Sequence, residues 1–471
     1  MIAAGEHGRP ADRVLTAQRL LAACVAFVIA VTTSSSGQTP PALSSPATEA
    51  ARAFNTGQFD AIEGLLRSAT DERSLVLRAR AHIARGRYAE AEKLLQGVVA
   101  TAPAGDAALE LGRLYLYLGR RQEGTRLLQT VLTRGAQNSP LDLLRLGLAA
   151  RVLGRFQDAN AFLRNASGLA PGDAVINTAW AELFLEKYNR ADAVRSFQVA
   201  LKADASYVPA QLGLARVTLE QDPAAAKMAV EEVLKVNPNN VAAHLLLAEL
   251  ALDERQRDEA RASVKKALEV NPNSLEARSL DAAIAFLEAR TGDFDAGVAG
   301  ILKINPTYGD AYRMAGDHLA RNYRFDEAVE LTRRALQIDS ASIKASADLG
   351  THLLRVGDEP GARRALETAF KADPYDVVVF NQLAMLDTVD KFQTFRDGDL
   401  VVRLHPDEAG VMRDQVVPLA RRALDTLSER YQFKPTGPIL VEMFPKHDDF
   451  AVRTIGLPAS SARWAPASAR L

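Results

Sequence analysis

The chain has 471 residues, and 57 lysines and arginines almost balance 58 aspartates and glutamates, for a formal net charge of −1. A neutral chain has no surplus of positive charge to neutralise phosphates, so the composition argues against nucleic-acid binding. The single cysteine, Cys24, allows neither an internal disulfide nor a cysteine-based zinc site.

Residues 1–37 have the layout of an export signal. Arg9, Arg13 and Arg19 precede an unbroken apolar run at residues 20–31, and small polar residues follow it. A bilayer-spanning helix needs about 20 apolar residues, so this shorter run favours a cleavable signal over a membrane anchor. The structural alternative is a buried helix of the first repeat.

Three prolines within residues 38–48 predict a flexible linker after the signal. Together with the signal, this linker predicts an exported protein, periplasmic or associated with the cell envelope. Contact with a membrane is expected only through the N-terminal segment, if that segment stays uncleaved.

A 34-residue period runs through the middle of the chain. Four dipeptides that break helices recur with their prolines 34, 34 and 68 residues apart: Asn237-Pro238, Asn271-Pro272, Asn305-Pro306 and Asp373-Pro374. The same grid, within one or two residues, passes through Asp339-Ser340, Asp204-Ala205, Ala170-Pro171 and Ala102-Pro103. A constant step of this length predicts a repeat of two helices.

Small residues occupy fixed places within each period. Glycines predicted in the middle of the first helix, where the two helices cross closely, are Gly112, Gly147, Gly316 and Gly350. Glycines predicted in a left-handed turn between the helices are Gly86, Gly119, Gly154 and Gly357. Alanines predicted at the crossing in the second helix are Ala91, Ala159, Ala193, Ala260, Ala328 and Ala362.

These features resemble the tetratricopeptide-repeat family over residues 49–375, about ten units. The resemblance implies an all-α superhelical solenoid whose first helices line a concave groove for a protein or peptide. The family's groove positions fall here on Arg113, Tyr117, Arg151, Arg313, Asp317, Arg321 and Arg355. Several arginines would suit an acidic segment or a C-terminal carboxylate; the alternative is that they are ordinary solvated charges.

One unit departs from the pattern. Its Gly292-Asp293-Phe294 sequence lies three residues later than the corresponding turn elsewhere. This shift predicts a longer first helix, a shorter second helix and a local irregularity in the superhelix.

Beyond the repeats, residues 376–390 predict a capping helix, and the hydrophobic period then changes to two. Residues 392–396 and 400–404 flank an Asp-Gly-Asp turn, which predicts a β-hairpin. A long amphipathic helix is predicted over residues 407–431 and a third strand over residues 439–444. The C-terminal part is thus expected to be a small α+β segment.

Residues 391–458 resemble the opening of a peptidase-MA-like (gluzincin) domain, through FQTFRDGDLVVRL and RRALDTLSERYQFKPTGPILVEMFPKHDDFAVRTIGLP. In that family a His-Glu-x-x-His helix further along binds zinc. None of the seven histidines here has Glu next and His four residues on. His447-Asp448-Asp449 is expected to begin a helix, rather than to hold a metal.

Residues 459–471 show neither a helical nor a strand period. We hypothesise that the chain is a frameshifted or truncated product that stops before the catalytic helix.

The sequence therefore predicts a non-catalytic scaffold without cofactor or metal. The first alternative is a zinc metallopeptidase that lacks its catalytic helix and selects substrates through its repeats. The second is a subunit of a cell-envelope assembly, anchored by an uncleaved N-terminus.

Overall fold

The structure, a computed structural model, describes residues 45–187, 189–219 and 221–455. The predicted signal and most of the linker lie outside these residues, as do the C-terminal tail and the end of the peptidase-like segment. No helix within the described ranges is both long enough and apolar enough to cross a membrane.

Ten antiparallel helix pairs form a stack in the described residues. The first helices of the pairs are α1 (Pro46–Asn55), α3 (Glu72–Ala84), α5 (Asp106–Tyr117), α7 (Pro140–Val152), α9 (Ala174–Glu186), α11 (Val208–Thr218), α13 (Val241–Asp253), α15 (Leu275–Leu287), α17 (Asp310–Arg321) and α19 (Ile343–Val356). The second helices are α2 (Phe59–Leu65), α4 (Tyr88–Val99), α6 (Arg121–Arg134), α8 (Phe156–Leu169), α10 (Arg190–Ala203), α12 (Pro223–Val236), α14 (Arg257–Val270), α16 (Thr291–Ile304), α18 (Phe325–Ile338) and α20 (Glu359–Ala372). The predicted solenoid is confirmed.

Short polar residues set where the first helices begin. Asp173, Asn240, Ser274 and Ser342 each accept a hydrogen bond from the backbone N–H three residues later, at 2.9–3.2 Å. Each bond satisfies an N–H that the helix itself cannot pair, so the cap fixes the first turn.

Glycine allows the two helices of a pair to cross closely. A Cβ at Gly147 would lie 2.7 Å from Leu163 Cγ, and one at Gly350 would lie 2.5 Å from Leu366 Cγ. The alanines predicted at the crossing are fully buried, among them Ala159. Both groups of small residues therefore have the packing role that the sequence predicts.

The prediction of altered helix lengths around Gly292 is wrong. Helices α15 and α16 have 13 and 14 residues, as in the other units. The turn between them stays in register because Ala289 takes the left-handed conformation, with φ 59°, where several other units use glycine. Gly292 instead falls within the first turn of α16.

The packing of this unit is nevertheless irregular. Helix α15 packs extensively against the next first helix, α17, whereas α16 hardly touches α17. In the other units the second helix provides much of the contact with the following unit. The pair α15–α16 nevertheless remains closely packed, since a Cβ added at Gly297 would lie 3.3 Å from the Cβ of Ala282.

The C-terminal segment begins with α21 (Val377–Val389), followed by β1 (Gln393–Asp397), β2 (Leu400–Leu404), α22 (Pro406–Tyr431), β3 (Ile439–Met443) and α23 (His447–Ile455). Strands β1 and β2 form an antiparallel hairpin, and β3 pairs in parallel with β2. Helix α22 connects β2 to β3 and covers one face of the sheet, over Leu400, Val402 and Leu404. The predicted hairpin, helix and third strand are confirmed.

Four charged side chains join this segment to the last helix pair. Arg403 of β2 and Arg453 of α23 each contact Glu359 of α20 and Glu442 of β3, at 2.6–3.2 Å. All four side chains are at most one quarter exposed. The C-terminal segment therefore packs on α20 through a largely buried ion-pair quartet.

The curvature of the stack brings distant repeats together. Three loops that precede first helices contain Asn237, Asn271 and Asn305, and they contact helix-pair turns about 185 residues earlier. Five and a half 34-residue units separate the partners, so the later repeats form a second superhelical turn that touches the first.

Candidate partner-binding surface

Successive first helices contact one another along the stack. The first helices line the inside of the curve of the stack. The guanidinium of Arg321 on α17 indicates this, because it reaches Asp253 of α13 at 2.8 Å across the intervening helix α15. Such a contact requires that the three first helices curve toward one another. The concave surface is the face of the first helices around these side chains.

Three of the predicted groove arginines are held between pairs of carboxylates. Arg151 contacts Glu182 and Glu186 of α9, at 2.6 and 2.9 Å. Arg313 contacts Asp310 and Asp348, at 2.6 and 2.9 Å.

Arg321, the third, contacts Asp253 and the predicted groove residue Asp317, at 2.8 and 2.9 Å. When all of their carboxylates are ionised, each of these three groups has one surplus negative charge. The concave surface consequently does not present these arginines as free cations.

The remaining predicted groove residues have different surroundings. Arg113 is half-exposed and lies 3.5 Å from Glu110, which also pairs with Arg80. Arg355 donates a hydrogen bond to the carbonyl oxygen of Thr454 in α23, so it contacts the C-terminal segment.

Tyr117 lies in the contact between superhelical turns, rather than on a free groove surface. Its hydroxyl donates to Glu276 at 3.0 Å and accepts from the N–H of Leu275 at 2.7 Å. Burial, and then the nearby Glu276 carboxylate, raise the pKa of Tyr117. A neutral, internally bonded phenol is a poor candidate for direct contact with a ligand.

Burial shifts the pKa of two carboxyl groups on the concave side. It raises the pKa of Asp348 to about 6, and the pairing with Arg313 only partly opposes this. Burial also raises the pKa of Glu249, and the positive charges of Arg321 and Arg216 only partly oppose this. The negative charge of this surface therefore increases with pH.

Apart from Asp317, the partner carboxylates were not predicted from the sequence, although a signal for them exists. Arg151 and Glu186 are 35 residues apart, as are Arg313 and Asp348, and Arg321 lies two periods after Asp253. Opposite charges one or two periods apart share a face of neighbouring first helices. Comparison of charges at the repeat spacing would have revealed the pairs.

A cleft of about 640 Å³ opens near the start of the stack, over α3. It is lined in part by α2, which has only 7 residues, about half the length of the other second helices. Its charged lining includes Glu63, which pairs with Arg78 at 2.5 Å. Within the part of the chain that the structure describes, no three His, Cys, Asp or Glu side chains are grouped so that they could bind a metal ion.

Family models of the tetratricopeptide repeat match residues 76–138, 109–174 and 217–284. No curated protein matches the chain. Among solved structures, yeast Tom70 is 14% identical, with 73% of this chain and 88% of that chain covered and a TM-score of 0.37.

Two smaller structures match part of the chain. A thermophilic TPR protein of Thermus thermophilus is 22% identical, with 39% of this chain and 100% of that chain covered and a TM-score of 0.35. YrrB, described as a TPR protein with an unusual peptide-binding site, is 22% identical, with 39% and 95% covered and a TM-score of 0.26. The family models thus identify tetratricopeptide repeats in residues 76–174 and 217–284, and the helix pairs on either side continue the same stack.

Proposed function

We propose that this protein is an exported, non-catalytic scaffold whose concave surface binds a segment of another protein. The observation that supports this most directly is the array of ten helix pairs with tetratricopeptide-repeat matches in two separate stretches. A curved stack of this kind offers a long surface of side chains, rather than an enclosed pocket.

The charges of the concave surface favour a basic segment as the ligand. Arg151, Arg313 and Arg321 are each outnumbered by their own carboxylate partners. An acidic ligand, as the arginines alone suggested, would have to displace those carboxylates. A basic ligand would instead meet a surplus of negative charge.

Peptides selected from a random library against the full chain test this proposal. The variant with Asp253→Asn and Asp317→Asn keeps the shape around Arg321 but removes two negative charges. We expect it to bind the selected peptides about tenfold more weakly, which is about 1.4 kcal/mol. The matched control, Asp192→Asn with Glu330→Gln, removes two charges from second helices and should bind as wild type does.

Equal affinity of both variants would reject the concave surface as the binding site. Tighter binding by the Asp253→Asn, Asp317→Asn variant would keep the site but show that the ligand is acidic.

Export rests on the pattern of residues 1–37. Mass measurement of the mature protein from a bacterial envelope fraction tests it. A mass that corresponds to cleavage near residue 37 supports a soluble exported form, whereas an intact N-terminus supports an anchored subunit of an envelope assembly.

A metallopeptidase origin for the C-terminal segment is the second candidate. The order of β-hairpin, long helix and third strand is consistent with the resemblance to peptidase-MA-like domains. The chain contains no His-Glu-x-x-His sequence. The gene tests this candidate: a downstream frame that encodes this motif supports a frameshift, and its absence there rejects one. Stoichiometric zinc with peptide hydrolysis by the purified chain would reject the scaffold proposal.

A further inference from the structure

Three loops of the second superhelical turn bind the first turn through asparagine side chains. We call the loops around Asn237, Asn271 and Asn305 the clamp loops. Their Nδ2 groups donate to the carbonyl oxygens of Asn55, Ile83 and Tyr117, at 3.1, 3.3 and 3.0 Å. In two of these loops a second asparagine adds a bond: Asn239 donates to Gly57 at 2.9 Å and Asn273 to Gly86 at 3.1 Å.

Each clamp asparagine also holds its own loop. Its Oδ1 accepts the N–H of the residue two positions later, at 2.9–3.1 Å. Asp204, at the corresponding place in the first superhelical turn, accepts the N–H of Ser206 in the same way, at 2.9 Å. The local turn therefore requires only an oxygen, and the amide nitrogen is the part that reaches the other turn.

The glycines of the first turn fit the clamp asparagines. A Cβ added at Gly57, Gly86 or Gly119 would lie 2.1–2.3 Å from the Oδ1 of Asn237, Asn271 or Asn305, respectively. Gly154 has the same left-handed backbone, yet a Cβ there would meet nothing within 4 Å. Turn geometry explains all four glycines, whereas close approach to asparagine is specific to the three that face clamp loops.

Further along, charged pairs replace the asparagines. Asp339 and Asp373 stand where the clamp loops have Asn. They pair with Arg121 and with Lys187, the latter at 2.5 Å, which also belong to the first turn. The side chain at this loop position thus matches its partner across the turns: an amide faces carbonyl oxygens, and a carboxylate faces a cation.

We propose that the clamp loops hold the two superhelical turns together and thereby control access to the concave surface from the side. A ligand segment entering between the turns must part them, which breaks these bonds. The part concerning access rests on the proposed function; the holding of the turns does not.

Small-angle X-ray scattering of the full chain tests the clamp. The variant with Asn271→Asp and Asn305→Asp keeps the oxygen that forms the local turn and removes the amide that crosses to the first turn. We expect the maximum dimension to increase by a tenth or more, with unchanged far-UV circular dichroism. Asn240→Asp, which changes a helix cap in the same stretch, is the control and should leave the dimension unchanged. An unchanged dimension in the double variant would overturn the proposal.

A second measurement tests whether the two superhelical turns touch, in case the Asn271→Asp, Asn305→Asp variant loses helix. Gly86→Ala and Gly154→Ala cause the same left-handed strain, but only Gly86→Ala also collides with a clamp asparagine. We expect Gly86→Ala to lower the melting temperature at least twice as much as Gly154→Ala. Equal decreases would show that the turns do not touch at Gly86.

Access is tested with the peptides selected against the wild-type chain. Their association rate should rise threefold or more in the Asn271→Asp, Asn305→Asp variant and stay constant in Asn240→Asp. A constant rate in a variant that scattering shows to be opened would refute the control of access. If no peptide is selected at all, the proposed function fails while the scattering result still decides on the clamp.

Discussion

Asp348 shows how a single carboxyl group on the concave side responds to its surroundings. It pairs with Arg313 at 2.9 Å, yet burial dominates and raises its pKa to about 6. The ordinary value for aspartate is about 4. The folded chain therefore keeps this proton over a pH range in which the unfolded chain releases it.

Asp348→Asn should change how stability depends on pH. Between about pH 4 and pH 6 the folded wild type binds more protons at this site than the unfolded chain, so its free energy of unfolding falls as pH rises. The variant should lack this contribution, which we expect to be about 1 kcal/mol because 30% of the side chain is exposed. Urea unfolding of both proteins at pH 4 and pH 6 measures it.

Asp310→Asn is the control, because it removes the other carboxylate beside Arg313. In this variant the free energy of unfolding should still fall between pH 4 and pH 6, because Asp348 is present. If the free energy of unfolding fell equally in Asp348→Asn and in the wild type, the raised pKa of Asp348 would be contradicted.

At the residue scale, the sequence predicts types of residue better than their partners. The groove arginines were predicted from the repeat positions, and in the structure Arg151, Arg313 and Arg321 each pair with a carboxylate of another first helix. Their neutralisation was missed because it depends on acidic residues of neighbouring units. Tyr117 was assigned to the groove from its position in the repeat alone. Its hydrogen bond to Glu276 could not be foreseen, because it forms only where the two superhelical turns meet.

The turn between the two helices of a unit requires one residue in the left-handed conformation, and either glycine or a residue with a side chain takes it. Gly86, Gly119, Gly154 and Gly357 have φ of 71–82°, and Arg255, Ala289 and Tyr323 have φ of 59–62° at the same turn. A side chain in this conformation costs roughly 1–2 kcal/mol. The units with Arg255, Ala289 and Tyr323 are therefore locally strained.

Substitutions between alanine and glycine at this turn should change the stability of the protein in opposite directions in two units. Ala289→Gly relieves the left-handed strain and should stabilise the protein by about 0.5–1 kcal/mol, since the greater freedom of glycine when unfolded offsets part of the gain. Gly154→Ala introduces strain without a collision and should destabilise it by about 1 kcal/mol. Thermal unfolding followed by circular dichroism measures both; a loss of stability in Ala289→Gly would contradict the account.

Elements defined by local patterns were predicted well. Helix caps, the Gly398 turn of the hairpin and the buried faces of β2 all act over a few residues. The unit around Gly292 was predicted wrongly because a glycine was taken to mark the turn. Ala289 makes that turn instead, since packing of the neighbouring helices outweighs the preference of a single residue.

At the scale of the whole molecule, the ion-pair quartet determines how firmly the C-terminal segment is attached. Arg453 and Glu442 are only 11% and 9% exposed, and Glu359 is 16% exposed. Charges this well buried are costly when a partner is removed.

Arg453→Met should weaken this attachment strongly. It leaves Glu359 and Glu442 to share Arg403 alone, and we expect the opening of the segment to become easier by about 3 kcal/mol. Hydrogen exchange in β1, β2 and β3 measures this.

Arg363→Met provides the comparison on the same helix pair. Its partners, Asp387 and Asp390, are 68% and 63% exposed. Exposed ion pairs contribute little to stability. The opening free energy that hydrogen exchange in the strands reports should therefore change by less than about 1 kcal/mol. Equal effects of the two substitutions would contradict the importance of the quartet.

The contact between superhelical turns could not be predicted from the sequence. It depends on the small rotation between each unit and the next, summed over five and a half units. The Asn-Pro dipeptides were read as ends of helices, which they are, but their amide groups also reach across to the earlier turn. A period identifies the repeat, whereas the pitch of the coil arises from the packing of every unit.

The change from amide to carboxylate along the inter-turn contacts makes the two ends of the coil respond differently to dissolved ions. At about 1 M ionic strength, the attraction between exposed charges is screened within about 3 Å, whereas buried pairs are screened much less. The contacts of Asp339 and Asp373 depend on this attraction, whereas those of Asn237 and Asn271 do not. Concentrated electrolyte should therefore weaken the contact between Asp339 and the half-exposed Arg121, affect the buried contact between Asp373 and Lys187 less, and leave the asparagine contacts unchanged.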